Sequence, residues 1–370
     1  MERSGLAGAR RVVVKIGSGV LAPAGRFDRA HQQALARALL AVGERRELIV
    51  VSSGAIALGV ERLGWRSRPK DIPRKQAAAA VGQALLMRTW DEAFGDRVAG
   101  QVLLTGEVVG DRRRFLHARH TFAALLAAGA IPVVNENDTV AVEEIKFGDN
   151  DALAALVVQV VDADLLVILS DVDAVYDADP RRNRNARPLR TVRRVTPSIL
   201  EAAGGAGSAV GTGGMVTKLR AARRAGQLGV PCVIASGRDP TTLARLFGGE
   251  EVGTLFSPSD PLRGRRRWIA HAAKPKGRLL VDEGAEAALV RGRKSLLATG
   301  LAAVEGRFAV GDVVEIAGLD GTPFALGLAR YGADEAARIA GLRTAAIEAA
   351  LGYKDSDEVV HRDDLVLLEN

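Results

Sequence analysis

A single cysteine, Cys232, stands in a chain of 370 residues. That excludes an intrachain disulfide and any zinc cluster built on cysteines. Its setting, VPCVIAS, is apolar, so a buried structural thiol is expected. Aromatic residues are also scarce, at 4% of the chain, which leaves few platforms on which single-stranded nucleic acid could stack. No apolar run approaches the ~20 residues that cross a bilayer. The opening MERSGLAGARR lacks the apolar core of a secretory leader, and a cytoplasmic protein with no membrane partner is expected. Neither G-x-x-x-x-G-K-[ST] nor a G-x-G-x-x-G after the first strand occurs, so the P-loop and Rossmann routes to a nucleotide are absent.

The charge is uneven. Between Pro261 and Val281 lie Arg263, Arg265, Arg266, Arg267, Lys274, Lys276 and Arg278 with no acid, and these seven account for the whole formal net charge of +7. The basic character belongs to one segment and not to a surface built around nucleic acid.

What the chain does have, up to about residue 256, is alternation of strand and helix signals. The apolar, β-branched runs Val12–Ile16, Leu48–Val51, Gln101–Leu104, Ile131–Val134, Leu165–Leu169 and Val230–Ala235 read as buried strands. Between them Leu35, Ala38, Leu39 and Val42 recur at helical spacing after a cap at Asp28, and Leu153, Leu156, Val157 and Val160 do so after Asp149–Asp151. Gln76–Trp90 and Arg112–Ala127 also read as helices. This pattern argues for an α/β fold with a mostly parallel sheet sandwiched by helices. The two prolines of SPSDPLRGRRRW then mark a basic linker over residues 259–276, and the short glycine-punctuated segments of residues 277–370 argue for a small β-rich domain ending near Val360.

Ligands of open α/β sheets bind beyond the carboxyl ends of the strands. After the first strand comes Lys15-Ile-Gly17-Ser18-Gly19, a lysine beside glycine amides that suits an anion. After the second comes Ser52-Ser53-Gly54-Ala55, where a serine cap on the next helix is the plainer expectation. After Ile131–Val134 come Asn135, Glu136, Asn137 and Asp138, then Lys146, Gly148, Asp149, Asn150 and Asp151 at a helix start. Helix capping explains one of those acids, and the set suits a ligand carrying both an ammonium and a carboxylate. After Leu165–Leu169 come Ser170 and Asp171. Finally Gly211-Thr212-Gly213-Gly214-Met215-Val216-Thr217-Lys218 opens a helix as a phosphate-cradling loop. The chemistry these parts suit is phosphoryl transfer, in which Lys15 and Lys218 flank the moving charge. A carboxylate acceptor is already ionised and needs no general base, and none of the five histidines lies in these loops.

VVVKIGSGVL, VSSGAIALG, VVNENDTVA, IKFGDNDALAAL, LSDVDAVYDADPR and GTGGMVTK, in this order, resemble the glutamate 5-kinases of the amino-acid-kinase superfamily over residues ~10–258. The tail, ending ALGYKDSDEVVHRDDLVLL, resembles the PUA domain that many of those kinases carry. The resemblance implies a catalytic amino-acid-kinase domain over residues 1–258 and a PUA domain over residues 277–370. It implies transfer of phosphate from ATP, with Mg²⁺, to L-glutamate as the first step of proline synthesis. Proline is the implied feedback inhibitor, and a homo-oligomer is implied. Carried over by position, Lys15 would hold ATP phosphates, and Ser53, Asp138 and Asn150, with Asp149 as neighbour, would bind glutamate. Ser170, Asp171, Thr212, Gly213, Gly214, Met215, Val216, Thr217 and Lys218 would contact the nucleotide. The catalytic group is read as Lys15, Lys218 and Asp151, with Asp151 orienting both lysines, a role that goes beyond what the resemblance carries. Ser170 and Ala174 depart from the threonine and glycine common at those places. The alternatives are a kinase for N-acetylglutamate or aspartate, RNA binding through the C-terminal domain, and an inactive kinase-like binder.

Overall fold

The structure is a computed structural model that describes residues 3–109, 112–140, 150–180, 183–203, 214–257, 269, 275–292 and 294–368. The chain divides into two compact units, Met1–Ser259 and Asp260–Asn370.

Among its described residues the first unit has eight strands: β1 (Arg11–Ile16), β2 (Glu47–Ser52), β3 (Ala99–Leu104), β4 (Ile131–Glu136), β5 (Leu165–Ser170), β6 (Thr191–Val192), β7 (Cys232–Ser236) and β8 (Thr254–Phe256). They lie in the order β3-β4-β2-β1-β5-β7-β8-β6. All neighbours are parallel except β7 and β8. The chain leaves β1 toward β2 on one side and enters β5 on the other, so the direction of winding reverses between β1 and β5. That reversal opens a crevice at their carboxyl ends.

Side chains alternate across a strand, and both faces here are covered. Val12, Val14, Ile16, Val50, Val133 and Val167 pack on one face against Leu86, Trp90 and Phe94 of the helix Ile72–Phe94. Val13, Val51, Val134 and Ile168 pack on the other against Leu153, Leu156 and Val157 of the helix Asn150–Val160 and Leu219 of the helix Met215–Gln227. The alternation decides where polar residues go. Lys15 shares the face of Val13, and Asn135 shares the face of Val133.

The helices follow local signals. Asp28 accepts a hydrogen bond from the His31 amide at 2.9 Å and starts Arg29–Gly43. Asp71 does the same for Arg74 at 3.0 Å, with Pro73 in the first turn. The helix Ala55–Arg62 departs from expectation. Its cap is Gly54 at φ 115°, with no side-chain cap bond, so neither Ser52 nor Ser53 is spent as a cap. Against it Ile72–Phe94 packs backbone to backbone, since a Cβ built on Gly82 would lie 1.8 Å from the Ala55 carbonyl oxygen. Cys232 is fully buried, and burial, reinforced by the charge of Asp151, pushes its thiol well above the ordinary range.

In the second unit β9 (Gly277–Val281), β11 (Leu301–Gly306), β12 (Val313–Ala317), β13 (Pro323–Leu328) and β15 (Leu365–Leu367) form a sheet in the order β11-β9-β12-β13-β15. A second pair joins β10 (Leu296–Leu297) and β14 (Glu358–Val360). The last strand lies beyond Val360, where the sequence pattern had placed the domain's end. Of the basic segment, Ile269 is buried against Val313 and Leu326, while the arginines at 263, 265, 266 and 267 and Lys274 lie outside the described residues. Tyr331 is fully buried; its hydroxyl donates to the Ser356 carbonyl and accepts from the Ser356 amide at 3.1 Å. Tyr331→Phe removes both partners' bond and is expected to cost about 1–2 kcal/mol. A lowered thermal midpoint checks this, and an unchanged one argues that water takes over the two Ser356 groups.

Candidate active site

Lys15 leaves β1 on the face covered by the helices Asn150–Val160 and Met215–Gln227, and it is 2% exposed. A buried ammonium requires a counter-charge. Asp151, in the first turn of Asn150–Val160 and 0% exposed, supplies it through Oδ1. Its other oxygen, Oδ2, accepts from Lys218 Nζ at 3.1 Å. Thr217 Oγ1 lies 2.8 Å from the same Oδ2 and 2.7 Å from the Gly214 carbonyl, so its one proton serves two acceptors. The sequence reading set Asp151 between the two lysines. In the structure its carboxylate turns inward and ties together two lysines from β1 and from the helix Met215–Gln227. Gly214 caps the latter helix with no side-chain bond, which leaves its first amides unshielded by a side chain.

Ser170 ends β5, beside β1, and Asp171 follows it. The Ser170 hydroxyl donates to Asp171 Oδ1 at 3.1 Å. A Cβ on Gly19 would approach Asp171 Cγ to 3.2 Å, so the loops after β1 and β5 touch there because position 19 has no side chain. Met215 and Val216 stand half-buried in the first turn after Gly214. Asp149, Thr212 and Gly213 lie outside the described residues.

Asn150, one residue before Asp151, bonds to a different set of groups. Its Nδ2 lies 3.1 Å from Ser53 Oγ, 3.2 Å from the Ser52 carbonyl and 3.0 Å from Asn135 Oδ1. Asn135 in turn donates to Gln83 Oε1 at 2.9 Å. Ser52 Oγ accepts from the fully buried Trp90 indole at 2.9 Å. The chain of amides thus runs over the ends of β2 and β4 and joins the helices on the two faces. Ser53, Asn135, Asp138 and Asn150 line one cavity of about 1140 Å³. Its outer wall carries Arg26, Trp65, Arg66, Arg68 and Lys75.

Of the sequence-derived residues, Lys15, Asp151, Thr217 and Lys218 meet in one cluster, and Ser53, Asp138 and Asn150 meet in the adjoining cavity. Asn135 was named in the polar run after Ile131–Val134 without a role of its own, and Gln83 was not singled out. A polar residue closing an apolar strand is a signal for the first; for Gln83 the sequence carries none. Among the described residues no three of His, Cys, Asp or Glu converge on a metal position, and no helix is long and apolar enough to cross a membrane.

Comparison with known proteins agrees with this geometry. Residues 10–236 match the amino acid kinase family, and residues 277–351 match the PUA domain. The chain is 56% identical over 370 residues to a protein of Myxococcus xanthus named glutamate 5-kinase, covering 99% of this chain and 98% of that one. Proteins of the same name from Anaeromyxobacter dehalogenans and Geobacter sulfurreducens are 54% and 51% identical, each over 376 residues and at least 99% of both chains.

Proposed function

Because the chain belongs to the amino acid kinase family, among the glutamate 5-kinases, we propose that its cavity and its buried lysine cluster are the acceptor and phosphoryl halves of one kinase site. The reaction is transfer of the γ-phosphoryl group of ATP to the side-chain carboxylate of L-glutamate, giving L-glutamyl 5-phosphate and ADP. It is the first step of proline synthesis.

One observation carries the assignment of residues. Asn150 and Asp151 are consecutive, and they serve the two halves: Asn150 anchors the acceptor cavity, and Asp151 holds Lys15 and Lys218. A γ-carboxylate seated by Ser53 and Asn150 therefore lies next to the two ammonium groups. The acceptor is ionised far below neutral pH, so no base has to take a proton from it. The work of the site is positioning and cancelling spread negative charge. Two ammonium groups in a water-poor setting do so more strongly than they would in solvent. Asp138 is the acid that faces the substrate's α-ammonium. A free amine offers that acid a cation, whereas an N-acetyl group offers it none. Ser170, Asp171 and the residues from Gly214 to Lys218 receive the nucleotide, together with Thr212 and Gly213.

Mg²⁺ belongs to the same proposal. It binds through phosphate oxygens with one or two carboxylates, and Asp171, exposed just after β5 beside Gly19, is a carboxylate of that kind. The ion would neutralise phosphate charge there. Proline as feedback inhibitor, self-association, a cytoplasmic location and the division into residues 1–258, a basic linker over 259–276 and residues 277–370 belong to the same proposal, and family membership supports them. The PUA domain is assigned a structural or regulatory role, and salt-sensitive RNA binding at micromolar protein in a filter assay would replace that role.

The test is ADP release with Mg-ATP and L-glutamate, N-acetyl-L-glutamate or L-aspartate, with hydroxylamine to trap an acyl phosphate. Hydroxamate formed from L-glutamate alone is expected; hydroxamate from another acceptor would overturn the substrate. Asn150→Ala removes the shared donor of three acceptors and is expected to raise KM for L-glutamate about 10- to 100-fold with little change in KM for ATP. A change confined to ATP would move Asn150 to the other half of the site.

A further inference from the structure

We propose that Lys75 is the residue that recognises the α-carboxylate of the acceptor, and so sets the requirement for an amino acid that is also a dicarboxylate. This rests on the kinase reading above and adds a residue to it.

The acceptor carries three charges. The γ-carboxylate belongs beside Lys15 and Lys218, on the sheet face of Val13. Asp138 answers the α-ammonium. The α-carboxylate remains, and it must lie farther from the lysine cluster, over the ends of β2 and β4. There the opposite face is covered by the helix Ile72–Phe94, and that helix sends two polar side chains toward the site. Gln83 supports Asn135 at 2.9 Å. Lys75, two turns earlier on the same helical face, lines the cavity with Ser53, Asn135, Asp138 and Asn150.

Other cations line the cavity, but Arg26, Arg66 and Arg68 are exposed and can remain hydrated, whereas Lys75 is half-buried. Among the described residues its ammonium has no carboxylate partner and no side-chain hydrogen bond. A partly desolvated ammonium in a polar cavity is favourable only when an anion meets it. The chemistry that fits is a carboxylate brought in by the substrate.

The experiment compares two acceptors that share a free γ-carboxylate. L-glutamate has the α-carboxylate; L-isoglutamine has a neutral amide in its place. For Lys75→Met, KM for L-glutamate is expected to rise about 10- to 100-fold, with kcat within about 3-fold and KM for L-isoglutamine within about 2-fold of the unaltered enzyme. Lys75→Arg, which keeps the charge, should recover part of the loss. An equal loss with both acceptors would mean that Lys75 only shapes the helix, and an unchanged KM for L-glutamate would mean that it touches no substrate; either result overturns the inference. Unaltered enzyme that forms no hydroxamate from L-glutamate overturns the kinase reading itself, which separates the two failures.

Discussion

Lys218→Ala is expected to lower kcat by about 10²- to 10³-fold while the protein stays folded and still binds nucleotide. The reason is the division of labour around Asp151. Lys218 reaches Oδ2 at 3.1 Å and Lys15 holds Oδ1. With Lys218 gone, Asp151 keeps Lys15 and the Thr217 hydroxyl at 2.8 Å, so no buried charge is abandoned. What is lost is a cation placed for the charge that spreads over the transferring phosphoryl group. Removing the acid is a different experiment. Asp151→Ala leaves two buried ammonium groups facing each other without their shared anion, and breaking a buried pair in this way costs about 3–5 kcal/mol. Turnover and thermal midpoint, measured on both variants, separate the roles. Lys218→Ala should lose activity and keep its midpoint; Asp151→Ala should lose both. A Lys218→Ala enzyme that turns over within about 10-fold of the original would remove Lys218 from the chemistry.

Gly82→Ala should be among the most damaging single methyl additions in the first unit. A Cβ there meets the Ala55 carbonyl oxygen at 1.8 Å and the Gly59 nitrogen at 2.6 Å, and a Cβ on Gly59 meets the Ala78 carbonyl oxygen at 1.8 Å. These are backbone atoms of a facing helix, so no rotamer change can relieve the contact and the helices must separate. Overpacking of this kind costs about 1–3 kcal/mol, and a backbone clash belongs at or above the upper end. Separation also moves Gly54 and Ser53, which immediately precede the helix Ala55–Arg62. KM for L-glutamate should therefore rise, while KM for ATP holds, because Lys15, Thr217 and Lys218 belong to the other face of the sheet. Gly226→Ala is the control. It lies in the helix Met215–Gln227 with open space where the methyl would go, so it should be neutral or stabilising by up to about 1 kcal/mol. Thermal melting of the three proteins decides the matter, and equal midpoints would mean that the helices part without cost.

The sequence made the sheet legible because buried parallel strands are short β-branched runs, and six of them stand out. Thr191–Val192 and Thr254–Phe256 are too short to show a period, and the antiparallel pairing of β7 with β8 follows from tertiary contacts that no local pattern encodes. The loops of the site were equally legible, since polar and glycine residues follow apolar strands. Their internal wiring was not. Ser53 looked like a helix cap until a glycine at φ 115° took that place, and the run of amides from Asn150 through Asn135 to Gln83 has no local signature. Which way each of two consecutive residues faces depends on where helix Asn150–Val160 docks. Gln83 and Lys75 sit in an alanine-rich amphipathic stretch whose sequence looks the same whether or not its polar residues reach a ligand.

The buried thiol of Cys232 has a use at the bench. It is the chain's one cysteine, and both its burial and its raised proton affinity keep it from maleimides at neutral pH. The natural sequence is therefore already a silent background for labelling. A single cysteine placed at an open position such as Val98, 64% exposed, would be the only thiol in the folded protein to take a fluorophore or spin label, and the centre beside Asp151 would need no alteration to make room for it.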